Sequence, residues 1–169
     1  IGSSNGQVDI YYGSENGLSQ NIDLVLYGVQ DNQNMGQGLT TGDFNGDGFS
    51  DLAVGSPGYN QDDGKVEIFF GSSTGLSSIS ELIAGVSTTL VTGSQYGMLL
   101  RTVEDLDGDG NDELLISSLG VNGNGQLELF HGSSQNDSWG TLQSPQRSGQ
   151  GILFGSSVST NGDINNLSL

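Results

Sequence analysis

The sequence has no cysteine, two prolines, three basic residues and no apolar run long enough to cross a bilayer. Without cysteine, disulfides, thiolate metal sites and thiol chemistry are excluded. The two prolines, Pro57 and Pro145, stand against 29 glycines, the balance of a chain that turns often and has few long helices. Lys65, Arg101 and Arg147 face 20 acidic residues, and the formal net charge is -17. Binding to nucleic-acid phosphates or insertion into an anionic membrane is therefore opposed electrostatically, and neither is expected. No stretch approaches the ~20 apolar residues of a spanning helix, and no charged-then-apolar signal segment precedes Ile1. A soluble chain, processed or excised from something longer, is expected.

What the sequence does have is repetition. The segments NGQVDIYYG at 5–13, DGKVEIFFG at 63–71 and NGQLELFHG at 124–132 are three versions of one strand with a turn at its start, their last glycines 58 and 61 residues apart. A second element recurs as GDFNGD at 42–47, EDLDGD at 104–109 and GDINN at 162–166, with leading aspartates spaced by 62 and 58. Each is preceded by a bulky residue and a glycine: Met35 and Gly36, Tyr96 and Gly97, Phe154 and Gly155. Short apolar runs, 52–54 and 114–116, follow the first two and suit buried inner strands, whereas the alternating run 66–70 suits a half-buried one. With strands at 39–43 and 81–84, about four antiparallel strands per repeat are expected, an all-β chain of β-propeller blades.

The ends suggest how the repeats are framed. Residues 167–169 followed by 1–3 parallel the strands at 52–56 and 114–118, so both ends cut the same inner strand. Three repeats in a circularly permuted frame follow: 1–30 the second half of a blade, 31–89 and 90–148 whole blades with acidic loops, and 149–169 the first half of a blade with a degenerate loop. Three blades fall short of the roughly four to eight of a closed ring. Either the chain is part of a longer array, or its half-blades pair with those of further copies of itself.

The acidic loops carry the chemistry. Loop one has Asp43, Asn45, Asp47, Phe49 and Asp51 at positions 1, 3, 5, 7 and 9; loop two has Asp105, Asp107, Asp109, Asn111 and Glu113. Hard cations need roughly six to eight oxygens, which alternate side chains of a curled loop supply, with position 7 contributing its backbone carbonyl. Glycine at position 6, Gly48 or Gly110, permits the sharp turn. Position 12 is Val54 or Ile116 rather than an acid, so these are not EF-hands. The expected cofactor is Ca2+ at two sites; the third repeat keeps Asp163 and Asn165 but lacks the rest, and is not expected to bind.

This loop between two strands, with Met35 and Gly36 or Tyr96 and Gly97 upstream and Val54 to Pro57 downstream, resembles the FG-GAP repeat of integrin-α-type β-propellers. The resemblance covers nearly the whole chain. It implies an extracellular, secreted or cell-surface module for adhesion, recognition or assembly, with calcium tying blade strands together and loops on the other face binding protein or glycan ligands. Related readings are a structural subunit of a head-to-tail fibre, or an accessory domain of a secreted polysaccharide-acting enzyme.

No catalytic constellation is visible, and an enzyme is not expected. His131 occupies the repeat position of Tyr12 and Phe70 and is expected to be one more ring packed between blades. Asn136 and Asn166 are formal N-glycosylation acceptors. Trp139 and Tyr59, in loop positions without repeats, are candidates for a ligand surface.

Overall fold

The computed structural model of the chain describes residues 4–78, 80–83, 93–121, 124–132, 141–142 and 156–160. Twelve strands run through them: β1 (Gln7–Ile10), β2 (Gly13–Ser14), β3 (Gly17–Leu18), β4 (Leu24–Tyr27), β5 (Gly38–Gly42), β6 (Asp51–Ser56), β7 (Lys65–Phe69), β8 (Glu81–Ile83), β9 (Leu100–Val103), β10 (Glu113–Val121), β11 (Asn124–Phe130) and β12 (Thr141–Leu142). Two four-stranded antiparallel sheets, β5-β6-β7-β8 and β9-β10-β11-β12, form in chain order. These are the four strands per repeat expected from the motif spacing. The β1–β4 pair precedes them, and β2 and β3 make a small hairpin of their own.

Side-chain alternation sorts the core into layers. On β6 and β7, Ala53, Val66 and Ile68 join Phe44, Tyr96, Leu100, Leu114, Ile116 and Phe130 in one buried cluster, with Phe70 packed against it. From the opposite face, Leu52, Val54 and Phe69 join Val8, Leu26 and Met35. The 5–8 sheet is thus buried on both faces, which is why every residue of β6 is buried. Phe69 and Phe70 go to opposite faces, as alternation requires.

Single parallel bridges, Gly6 to Met35 and Gly64 to Tyr96, recur at the repeat interval and link the start of each outer strand motif to the bulky residue that opens the next repeat. Both glycines have φ of +83°, and a Cβ on Gly64 would overlap the Tyr96 backbone. Only glycine meets both demands. The single helical turn among the described residues, Tyr59–Asp62, is left-handed through Asn60 and Gln61, and the Lys65 ammonium lies 4.6 Å above the Tyr59 ring. Tyr59 is thereby held as a packing surface for Lys65.

Gly64→Ala is expected to destabilise the fold by about 2 kcal/mol or more, from the left-handed backbone and the displaced strand. Gly13→Ala, which has nothing within 4 Å of the added carbon, is expected to stay within about 0.5 kcal/mol. Urea unfolding of the two variants measures the difference.

Candidate metal centre

Each acidic loop connects the first two strands of its sheet. Gly42 pairs with Asp51 at the mouth of loop one, and Val103 with Glu113 at the mouth of loop two. The side chains at positions 1, 3 and 5 curl the backbone by accepting its N–H groups. In loop one, Asp43 accepts from Asp47 (3.1 Å) and Gly48 (2.8 Å), Asn45 from Asp47 (3.0 Å), and Asp47 from Phe49 (2.9 Å). In loop two, Asp105 accepts from Gly108 (2.8 Å) and Gly110 (3.2 Å), Asp107 from Asp109 (3.2 Å), and Asp109 from Asn111 (2.8 Å). Gly48 and Gly110 take the left-handed backbone expected at position 6, and Gly46 and Gly108 at position 4 take it as well.

Position 9 is where each loop enters the core. Asp51 and Glu113 are both 0% exposed. The Asp51 carboxylate accepts the N–H of Phe44 (2.9 Å) and of Gly71 (2.8 Å), so one side chain joins its own loop to the end of β7. Burial pushes its pKa up to about 6 against the pull of those two N–H groups, and Asp47 and Asp43 add to the rise. Glu113 accepts the Leu106 N–H through Oε2, while its buried Oε1 has no hydrogen-bond partner. Burial raises the Glu113 pKa most; the Leu106 N–H opposes it, Asp107 raises it further, His131 lowers it and Asp109 raises it.

Two sets of ligand-type atoms in loop two lie within 4.8 Å of one another: Asp105, Asp107 and Asp109, and Asp107, Glu113 and His131. The second set corrects the expectation that His131 merely packs between sheets. Its Nδ1 stands 2.9 Å from Asp107 Oδ2 and 4.0 Å from Glu113 Oε1. The chain leaves β11 at the buried Phe130, and the next residue turns onto the loop rather than into the core. In the preceding repeat the same position is Phe70, which packs on the core.

A second residue outside the sequence expectation is Asp112, at position 8. Its Oδ2 accepts the Asp43 N–H (2.9 Å), its Oδ1 accepts from Asp105 (3.4 Å), and its own N–H donates to the Asp43 carbonyl (2.8 Å). The two loops are therefore stitched edge to edge. A Cβ on Gly46 would stand 2.6 Å from Asn111 Oδ1, so position 4 of loop one must be glycine for this contact as well as for its backbone. Alongside, the Thr40 and Thr102 hydroxyls meet at 2.9 Å, and Thr102 Oγ1 donates to the Thr41 carbonyl (2.6 Å). A cavity of about 460 Å³ opens beside this seam, lined in part by Asp43, Arg101, Glu104 and Asp112.

The donor set suits a hard cation. Carboxylate oxygens line each curled loop, joined in loop one by the Asn45 amide oxygen, and the unpartnered buried Oε1 of Glu113 is an acceptor that a cation would satisfy. Asn136, Trp139, Asp163, Asn165 and Asn166 lie outside the described residues.

Tandem four-stranded antiparallel sheets, each opening on an acidic hairpin loop, define a β-repeat protein built of blade-like units. The family model of the FG-GAP repeat matches residues 35–69, which run from Met35 through loop one to the end of β7. Residues 35–69 are thus an FG-GAP repeat. The chain is 36% identical over 124 residues to phosphatidylinositol-glycan-specific phospholipase D of Mus musculus, covering 67% of this chain and 14% of that protein. It is 31% identical over 119 residues to integrin alpha-5 of Xenopus laevis, covering 69% of this chain and 11% of that protein. With integrin alpha-IIb of Homo sapiens it shares 34% identity over 101 residues, 59% of this chain and 10% of that protein. The chain thus spans between 10% and 14% of the length of these relatives.

The raised pKa of Asp51 fixes the sign of a pH effect. A carboxyl whose folded pKa lies above its unfolded value of 3.8 favours the folded state when protonated, so its contribution is present below pH 4 and lost as pH rises through 6. With divalent ions chelated, stability is expected to fall by about 3 kcal/mol from this group between those limits, with Glu113 acting in the same direction. Thermal melts in chelator at pH 4, 5, 6 and 7 measure it; a melting temperature that rises across the series contradicts the assignment.

Proposed function

We propose that the chain is a calcium-stabilised, extracellular adhesion or recognition module whose two acidic loops hold one Ca2+ each. The observation that carries the reading is the pair of loops at equivalent positions of successive sheets, each with the side chains of positions 1, 3 and 5 accepting its own backbone N–H groups and a buried acid at position 9; in loop two the acids of positions 1, 3 and 5 also lie within 4.8 Å of one another. Asp43, Asn45, Asp47, Asp51 and the Phe49 carbonyl would hold the ion of loop one. Asp105, Asp107, Asp109, Glu113 and the Asn111 carbonyl would hold that of loop two. A bound ion supplies positive charge where the fold has buried and crowded carboxylates.

Similarity to integrin α chains supports a protein-binding role and an extracellular setting. Among the described residues, no helix is long and apolar enough to cross a membrane. In this reading the module is not itself catalytic. Similarity to a phospholipase D acting on phosphatidylinositol-glycan supports a second reading, in which such repeats are the non-catalytic part of an enzyme.

Calcium at a hundredfold excess over its dissociation constant is expected to stabilise the fold by about 2.7 kcal/mol per site, which raises the melting temperature. Asp47→Ala and Asp109→Ala are each expected to remove one site in a calorimetric titration. Melting unchanged between saturating calcium and excess chelator would refute the stabilising role.

A further inference from the structure

We propose that loop two is a mixed nitrogen–oxygen site that takes a borderline divalent transition ion of the zinc type through His131 Nδ1, Asp107 and Glu113, whereas loop one offers oxygen alone. The inference rests on the reading of loop two as a cation site and specifies which cations it admits. Three ligand atoms from separate parts of the chain converge here. Asp107 comes from the loop, Glu113 from the first residue of β10, and His131 from the end of β11, all within 4.8 Å.

The distances suit one small ion. Zinc–nitrogen and zinc–oxygen bonds are about 2.0 to 2.2 Å and their arrangement is tetrahedral, so ligand atoms on one ion stand about 3.3 to 3.6 Å apart, a separation that the two distances to the imidazole bracket. His131 Nδ1 is 4.0 Å from Glu113 Oε1 and 2.9 Å from Asp107 Oδ2. The atoms are also poorly satisfied without an ion. Glu113 Oε1 and His131 Nδ1 are buried atoms with no hydrogen-bond partner, although Nδ1 is close to Asp107. With an ion between it and the two carboxylates, the imidazole would present its Nδ1 lone pair and act as a ligand rather than as a donor.

Imidazole is what separates the two loops. Carboxylates and carbonyls favour calcium, magnesium and manganese; nitrogen adds affinity for zinc, cobalt, nickel and copper. Loop one has Phe70 at the position of His131, so its oxygen set has no nitrogen from this position to complement it. The same repeat geometry therefore yields one site for hard ions and one that also accepts borderline ions.

His131→Phe gives loop two the ring of loop one and is the direct test. Zn2+ and Co2+ are titrated calorimetrically into the wild-type chain, His131→Phe and Asp47→Ala, each also titrated with Ca2+, and the Co2+ visible spectrum is recorded. The wild type is expected to show a Co2+ ligand-field band and a Zn2+ affinity at least about tenfold above that of His131→Phe, by the scale on which metal-site partners act. Asp47→Ala should keep both. Ca2+ binding to His131→Phe should change by less than about threefold and also reports that the variant is folded; if it is not, His131→Asn is measured instead. Equal Zn2+ affinity with and without the imidazole, as a simple His131–Asp107 ion pair predicts, overturns the inference while leaving calcium binding intact. Absence of Ca2+ binding with Zn2+ binding still dependent on His131 overturns the calcium reading and sustains this one.

Discussion

The constraint on which the structure depends is a carboxylate carried into the core at the first residue of the second strand of each sheet. Asp51 and Glu113 sit where a charge is most costly, and each is held there by backbone N–H groups. Asp51 binds the residue after Asp43 and the glycine that ends the next strand motif, so loop, sheet and strand end are fixed by one side chain. Stripped of a counter-charge, this arrangement works against the fold, because burial and neighbouring acids both favour the protonated form. A cation in the loop would reverse that balance, at the seam between two sheets.

The seam is more than two copies of one loop. Asp112 reaches from loop two to the backbone of Asp43, and Gly46 of loop one makes room for Asn111 of loop two. An ion loaded into either loop would therefore act on a contact shared with the other. The loops also differ chemically: an aspartate and a phenylalanine in one repeat are replaced by a longer glutamate and a histidine in the next. The longer acid leaves one oxygen unpartnered, and the histidine stands beside it. Repeat symmetry sets the position of both loops, and departures from that symmetry set the donor atoms that each presents.

Much of this architecture is legible in the sequence, since spacing and alternation are local properties. The recurring NGQVDIYYG and GDFNGD motifs predict strands that form as β1, β7 and β11 and the loops that join β5 to β6 and β9 to β10. The left-handed glycines at position 6 follow from the loop motif alone. His131 and Asp112 escape the same reasoning for opposite reasons. His131 shares its repeat position with aromatic rings, so the repeat argues for packing; its turn onto loop two depends on where β11 ends in space. Asp112 has Ser50 as its counterpart, so nothing periodic marks it, and its role exists only once two loops lie side by side.

The central claim is that the two acidic loops are closed around one hard cation each. Native mass spectrometry of the chain, dialysed against calcium at neutral pH and then freed of loosely held ions, counts those ions directly. The account predicts two bound calcium ions per chain, falling to one in a chain lacking either loop's acids. A folded chain that retains none contradicts it.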